Sequence, residues 1–121
     1  MTTILIVEDN ASHRKLAALL LEKSGYQVLS AADAETGIRL ASECQPALIL
    51  MDIQLPGMDG LEATRRLKAA DATRAIPVIA VTAYLAEHPE ADILATGCAA
   101  IVAKPFHYKE FLAAIRAVLG K

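Results

Sequence analysis

Apolar and polar positions fall in blocks along this chain. Five short runs, "ILIV" (4–7), "YQVLSA" (26–31), "ALILM" (47–51), "VIAV" (78–81) and "AAIV" (99–102), are separated by longer stretches with apolar residues at helical spacing. A continuous apolar run of this length predicts a strand buried on both faces, the habit of parallel sheets. The second run mixes in polar residues and belongs nearer an edge, and the fifth is weak.

The stretches between carry helix signals. Asn10 is placed to cap a helix over about 11–24, with Leu16, Leu19 and Leu20 turned inward and Gly25 in the C′ position. Asp33 caps a second over about 34–44, with Ile38 and Ala41 inside, and Pro46 resets the chain. After the turn at Pro56-Gly57, a third over about 59–70 carries Leu61, Ala63 and Leu67. A fourth begins at Pro89, where proline fits the first helical position, and ends at Gly97. So short a helix is marginal without tertiary support, so residues 83–96 are expected to be the most mobile segment and to shift most on activation. Tyr108 to Leu119 closes the chain with Phe111, Leu112, Ile115 and Leu119, and both Phe106 and Phe111 are expected in the core.

Strands alternating with helices predict an α/β fold: a (βα)5 flavodoxin-like three-layer sandwich around a five-stranded parallel sheet, with right-handed crossovers. Runs 1, 3 and 4 should be central and run 2 at an edge. That placement agrees with the strand order 2-1-3-4-5 of flavodoxin-like sheets, and the full order is taken over from them.

Composition narrows the classes. The 121 residues suit one domain over 1–121, and 55% apolar content excludes disorder. No run approaches a membrane span, and no basic leader precedes Ile4, so the cytosol is the expected compartment. With net charge −2 and dispersed basic residues, neither nucleic acid nor membrane is an expected partner. Cys44 and Cys98 show no CxxC spacing and read as small buried hydrophobes.

The polar residues gain meaning from where the runs stop. Glu8 and Asp9 follow run 1, Asp52 follows run 3, Thr82 follows run 4 and Lys104 lies just past run 5. Open parallel sheets bind ligands outside the carboxyl ends of their strands, at the switch between strands 1 and 3. Neighbouring strands lie ~4.8 Å apart, so Asp9 and Asp52 should meet. Carboxylates at ~4 Å repel by about 4 kcal/mol per pair at an effective dielectric of about 20, so one must hold a proton or a cation must neutralise them. An all-oxygen set without His or Cys points to a hard ion, Mg²⁺. Lys104, roughly 10 Å along the sheet, has the reach to return, and its ammonium suits phosphate. A carboxylate nucleophile, a dication, a hydroxyl and an ammonium are the parts phosphoryl transfer needs.

The segments "ILIVEDN", "LILMDIQLPGMDGLE", "PVIAVTA" and "AKPF" resemble, in order and spacing over essentially the whole chain, the signature segments of bacterial two-component response-regulator receiver domains. The resemblance implies that Asp52 accepts a phosphoryl group from a histidine kinase or phosphotransfer protein. It implies that Glu8, Asp9, Asp52 and the main-chain carbonyl of Gln54 hold Mg²⁺, and that Thr82 and Lys104 bind phosphoryl oxygens. Lys104-Pro105 is often a cis peptide in that family. Output is expected through the fourth helix, fifth strand and fifth helix to a downstream protein. The expected state is a monomer, with dimerisation of the phosphorylated form left open.

The chain departs from the family at Ile101, where receivers usually carry Tyr or Phe; the usual coupling of threonine to an aromatic ring is therefore in doubt, and Tyr84 is the candidate to replace it. Two other readings stand beside this one. A haloacid-dehalogenase-like phosphatase shares the Asp, Mg²⁺, Thr and Lys, but needs a second Asp where Gln54 stands. A degenerate receiver would bind partners without phosphorylation, against which the intact acidic set argues. His13 reads as a surface residue that, with Arg14 and Lys15, makes the first helix a candidate for docking an acidic partner. His88 and His107 have no companion at metal-ligand spacing.

Overall fold

A computed structural model describes residues 2–83, 89–104 and 107–120. In chain order the elements are β1 (Thr3–Val7), α1 (Ala11–Lys23), β2 (Gln27–Ala31), α2 (Ala34–Cys44), β3 (Leu48–Asp52), α3 (Gly60–Ala69), β4 (Val78–Thr82), α4 (Glu90–Leu94), β5 (Ala100–Ala103) and α5 (Tyr108–Leu119). All pairings are parallel and the order is β2-β1-β3-β4-β5, as expected. The register sets Val7 beside Met51 and Asp52 beside Val81, so the central strands end nearly level.

The uniformly apolar strands follow from there being a helical layer on each face. Successive side chains of a strand point to opposite faces. Leu5, Val7, Ile49, Met51, Val78 and Ala80 therefore share one core with residues of α2, α3 and α4. Ile4, Ile6, Leu48, Leu50 and Ile79 share the other with Leu21 of α1 and Phe111, Leu112 and Ile115 of α5. Burying each such side chain contributes roughly 1.5–3 kcal/mol, which no exposed strand of this composition would gain. Strand β2, the polar one, is at the edge.

The two expected caps form, and Asp59, which the sequence reading put inside the third helix, caps it as well. Asn10 accepts from His13 N–H, Asp33 from Thr36 N–H and Asp59 from Glu62 N–H. Gly25 follows the α1 cap at φ 92°, a conformation open to glycine at little cost.

Three expectations need correction. Leu16 and Leu19 are 58% and 47% exposed and do not face inward; Leu20 is half-buried and Leu21 fully buried. Ala17 and Ala18 pack with Leu21 against the sheet, so α1 seats its small face close to the strands and its larger leucines turn out. Cys98 is buried as expected, but Cys44 is exposed: it is the last residue of α2, where the chain turns through Gln45 at φ 50°. Pro89 is the N-cap of α4 and not its first residue, because its ψ of 144° is extended while its carbonyl accepts from Asp92 and Ile93 N–H. Ile93, fully buried, anchors that five-residue helix. The rest of the segment expected to be mobile, 84–88, lies outside the described residues, as do Phe106 and the peptide entering Pro105.

Candidate acidic functional site

The strand ends converge. Glu8, Asp9 and Asp52 offer carboxylate oxygens that all lie within 4.8 Å of one another. Asp52 is the last residue of β3, and Glu8 directly follows β1, its N–H donating to Ala31 O across to β2 at 3.0 Å. Glu8 and Asp52 are each only 6% exposed, while Asp9 is open to solvent. Lys104 reaches back as expected: its Nζ lies 2.8 Å from Glu8 Oε1 and 3.3 Å from Asp52 Oδ2. Its own N–H donates to Thr82 O at 2.7 Å, which fixes the start of that reach against the end of β4. Thr82 is fully buried there. A cleft of about 260 Å³ opens over Glu8, Asp9, Asp52, Gln54 and Lys104.

Crowding shows in the proton affinities. Burial, the hydrogen bond with Glu8 and its negative charge push the Asp52 carboxyl up to about 7, against the opposing pull of Lys104 and of Gln54 N–H at 3.1 Å. Burial also raises Glu8, but its hydrogen bonds with Asp52, Lys104 and Asn10 N–H outweigh that and hold it at about 2. Lys104 is desolvated too, yet the bonds and charges of Glu8 and Asp52 hold it above its ordinary value. The two carboxyls titrate as a pair. Lys104 stands nearer Glu8, so the negative charge is better housed there and the proton on Asp52. Both remedies anticipated for the repulsion are thus present at once, a raised carboxyl and a neighbouring cation. Three oxygen donors facing one small cleft fit a hard dication.

Two residues of the site escaped the sequence. Arg14, read there as a docking charge, sends its guanidinium Nη1 to the main-chain carbonyl of Glu8 at 2.8 Å and of Asp9 at 3.5 Å. It holds the acidic loop and is not free for a partner. Gly60 opens α3, its N–H donating to Ile53 O at 2.8 Å, and a Cβ there would overlap the carbonyl oxygen of Asp52. A glycine in the first turn of a helix fits no pattern that would have singled it out. His13 does not stand alone on the surface either: its Nδ1 lies 3.4 Å from Glu8 Oε1. Ile101 is half-buried in β5 against the core that contains Ile93 and Cys98. Tyr84, Pro105 and His88 lie outside the described residues.

A parallel sheet of order 2-1-3-4-5 with three carboxylates and a lysine at its switch point defines a flavodoxin-like α/β domain with an acidic site at its strand ends. The family is shown directly: the response regulator receiver domain matches residues 4–116, and the chain belongs to that family of two-component signalling domains. The polar-differentiation response regulator DivK of Brucella anthropi is 44% identical over 118 residues, 98% of this chain and 96% of that protein. DivK of Brucella ovis is 43% identical over the same shares. Among solved structures, the receiver domain of sensor histidine kinase PA1611 from Pseudomonas aeruginosa, with magnesium coordinated in its active-site cleft, superposes at TM-score 0.91. It is 33% identical, covering 99% of this chain and 98% of that one. The Vibrio cholerae chemotaxis protein CheY4 has TM-score 0.91 at 24% identity over 98% of both chains and supports the fold alone.

Proposed function

We propose that Asp52 is the phosphoacceptor of this receiver and that a histidine kinase or histidine phosphotransfer protein is the donor. The observation that carries this is Lys104 Nζ bridging Glu8 and Asp52 across the strand ends, with Asp9 beside them. In the transfer an Asp52 oxygen forms a bond to phosphorus in line as the donor's phosphorus–nitrogen bond breaks, and the donor imidazole leaves. Gln54 N–H on Oδ1 orients the carboxylate. Lys104 turns from Asp52 to the phosphoryl oxygens, and Thr82, at the neighbouring strand end, donates its hydroxyl to another.

Glu8, Asp9 and Asp52, whose oxygens converge, would hold Mg²⁺ together with the Gln54 main-chain carbonyl; the PA1611 receiver carries magnesium in its active-site cleft. When bound, Mg²⁺ supplies charge neutralisation for the carboxylates and the phosphoryl oxygens. The domain catalyses its own phosphorylation and the hydrolysis of the phosphoryl group, with Gln54 and Tyr84 as the candidates to tune the rate of hydrolysis. The result reaches a downstream protein through α4, β5 and α5, with Thr82, Tyr84, Ile101 and Pro105 as the candidate switch residues. The exchange is proposed to take place in the cytoplasm; separately, among the described residues no helix is long and apolar enough to cross a membrane.

The test is incubation with a small-molecule phosphodonor and Mg²⁺, followed by intact mass analysis. Wild type should gain one phosphoryl group and Asp52→Ala none; a label mapped to another residue refutes the assignment.

A further inference from the structure

A second cavity, larger than the acidic cleft, opens beside it. It measures about 510 Å³ and lies between α1, the sheet and α5. Side chains two apart along an extended chain share a face, so Glu8 and Asp52 stand on the same side of the sheet as Ile6 and Leu50, one step nearer the strand ends. Ile6, Leu50 and Val81 form the floor of this cavity, Ala17 and Leu20 of α1 one wall, and Phe111 of α5 the other. Room is left there because α1 turns its small residues to the strands, while Leu16, 58% exposed, stays at the rim. Glu8, Asp52 and Lys104 line both this cavity and the acidic cleft, so the two are continuous at the carboxylate proposed to take up phosphorus.

Size and polarity select what fits. Small-molecule sites measure roughly 300–1,000 Å³ and set an apolar body against a few convergent polar groups. Here the polar groups are ones that serve a phosphoryl group. Lys104 Nζ donates to Glu8 and Asp52 among the described residues, and an ammonium carries a third proton for a phosphoryl oxygen. We propose that this domain takes phosphoryl groups directly from acyl phosphates and prefers those with an apolar acyl chain, which lodges between α1 and α5. An Asp52 oxygen forms the new bond to phosphorus, the phosphorus–oxygen bond to the acyl group breaks, and the carboxylate leaves with the electron pair, so no proton need move. The inference rests on the proposed function in that Asp52 must be the acceptor; the choice of donor is what it adds.

Straight-chain acyl phosphates separate binding from reactivity, because acetate, butyrate and hexanoate leave about equally well. Each methylene buried is worth up to roughly fourfold in affinity. With Mg²⁺ present and donor limiting, phosphoryl uptake by intact mass should therefore rise about tenfold or more from acetyl through butyryl to hexanoyl phosphate. Ala17→Leu, which fills the cavity, should erase that rise. Leu16→Ala, at a position exposed enough to change without unfolding the chain, should reduce it. A readout without transfer comes from n-hexylphosphonate, whose carbon–phosphorus bond does not break: with Mg²⁺ it should shift the methyl resonances of Leu16, Leu20 and Val81, and methylphosphonate should not. Equal uptake from the three donors, a rise unchanged by both variants, or shifts confined to other residues overturns the inference and leaves Asp52 as acceptor. Uptake from none of the three donors would instead refute Asp52 as the phosphoacceptor, and the inference with it.

Discussion

Replacing Asp52 by Asn removes one charge and one titratable proton from the cleft while keeping the side chain's size. In the metal-free protein the Asp52 carboxyl is raised to about 7 from an ordinary 3.8. The folded state therefore binds a proton that the unfolded chain has already released, across the interval between those values. Stability from this group is complete below the unfolded value and is lost as pH rises through the folded one. Going from about pH 5.5 to about pH 8.5, wild type should lose about 2 kcal/mol from Asp52 alone. Glu8, held at about 2, is ionised in both states over that range and adds no slope; its own contribution is lost only as pH falls through 4.5 towards 2. Asp52→Asn should accordingly gain about 2 kcal/mol on wild type between the two pH values. It keeps the Lys104–Glu8 pair at 2.8 Å, so no buried charge is orphaned. Urea denaturation of both proteins in EDTA at the two pH values measures the difference. A gain independent of pH, or a mutant less stable than wild type at the higher pH, would show that the carboxylates do not crowd as described. Saturating Mg²⁺ should reverse the order, since wild type gains about 2.7 kcal/mol at 100 Kd and the Asn variant less.

Gly60→Ala should force α3 away from the Asp52 carbonyl, costing about 2–4 kcal/mol in denaturant melts and lowering phosphoryl uptake by intact mass together. Arg14→Ala releases the Glu8 and Asp9 carbonyls; Mg²⁺ affinity by calorimetry should fall about tenfold, with partial rescue by Arg14→Lys, which can still donate to one of them. Leu21→Ala should cost about 2–5 kcal/mol as a core cavity, whereas Leu16→Ala, on the exposed face of α1, should stay within about 0.5 kcal/mol. Equal losses at the two leucines would put the helix back in the orientation its sequence suggests.

The architecture was legible because its signals were redundant. Strands such as "LILM" are apolar at every position, which only a sheet covered on both faces explains, and each of the first three helices opens at a side chain that does cap it. The face of α1 was not legible for an equally physical reason. Leucines at 16, 19, 20 and 21 surround much of the helix, so periodicity names no single stripe. The choice falls to Ala17 and Ala18, whose small size allows close approach to β1 and lets Leu21 fill the space left. Pattern reading favours large apolar residues for the inside, and here the small ones decided the packing.

In the site the division is similar. Glu8, Asp9, Asp52, Thr82 and Lys104 could be found because each ends or follows an apolar run, and the topology then brings those ends together regardless of sequence distance. Lys104 and Glu8 are 96 residues apart yet in contact. Arg14 and Gly60 act through the backbone: one binds carbonyls, the other leaves room beside one. A main-chain contact has no residue type of its own to look for, so a basic residue on an exposed turn and a glycine in a helix start carry no pattern. The carboxylates' geometry depends on both all the same. Arg14 sets where the loop carrying Glu8 and Asp9 lies, and Gly60 sets how closely α3 can approach the peptide of Asp52. The acids that could be read from the strand ends are therefore held at cation-binding distance by two residues that could not.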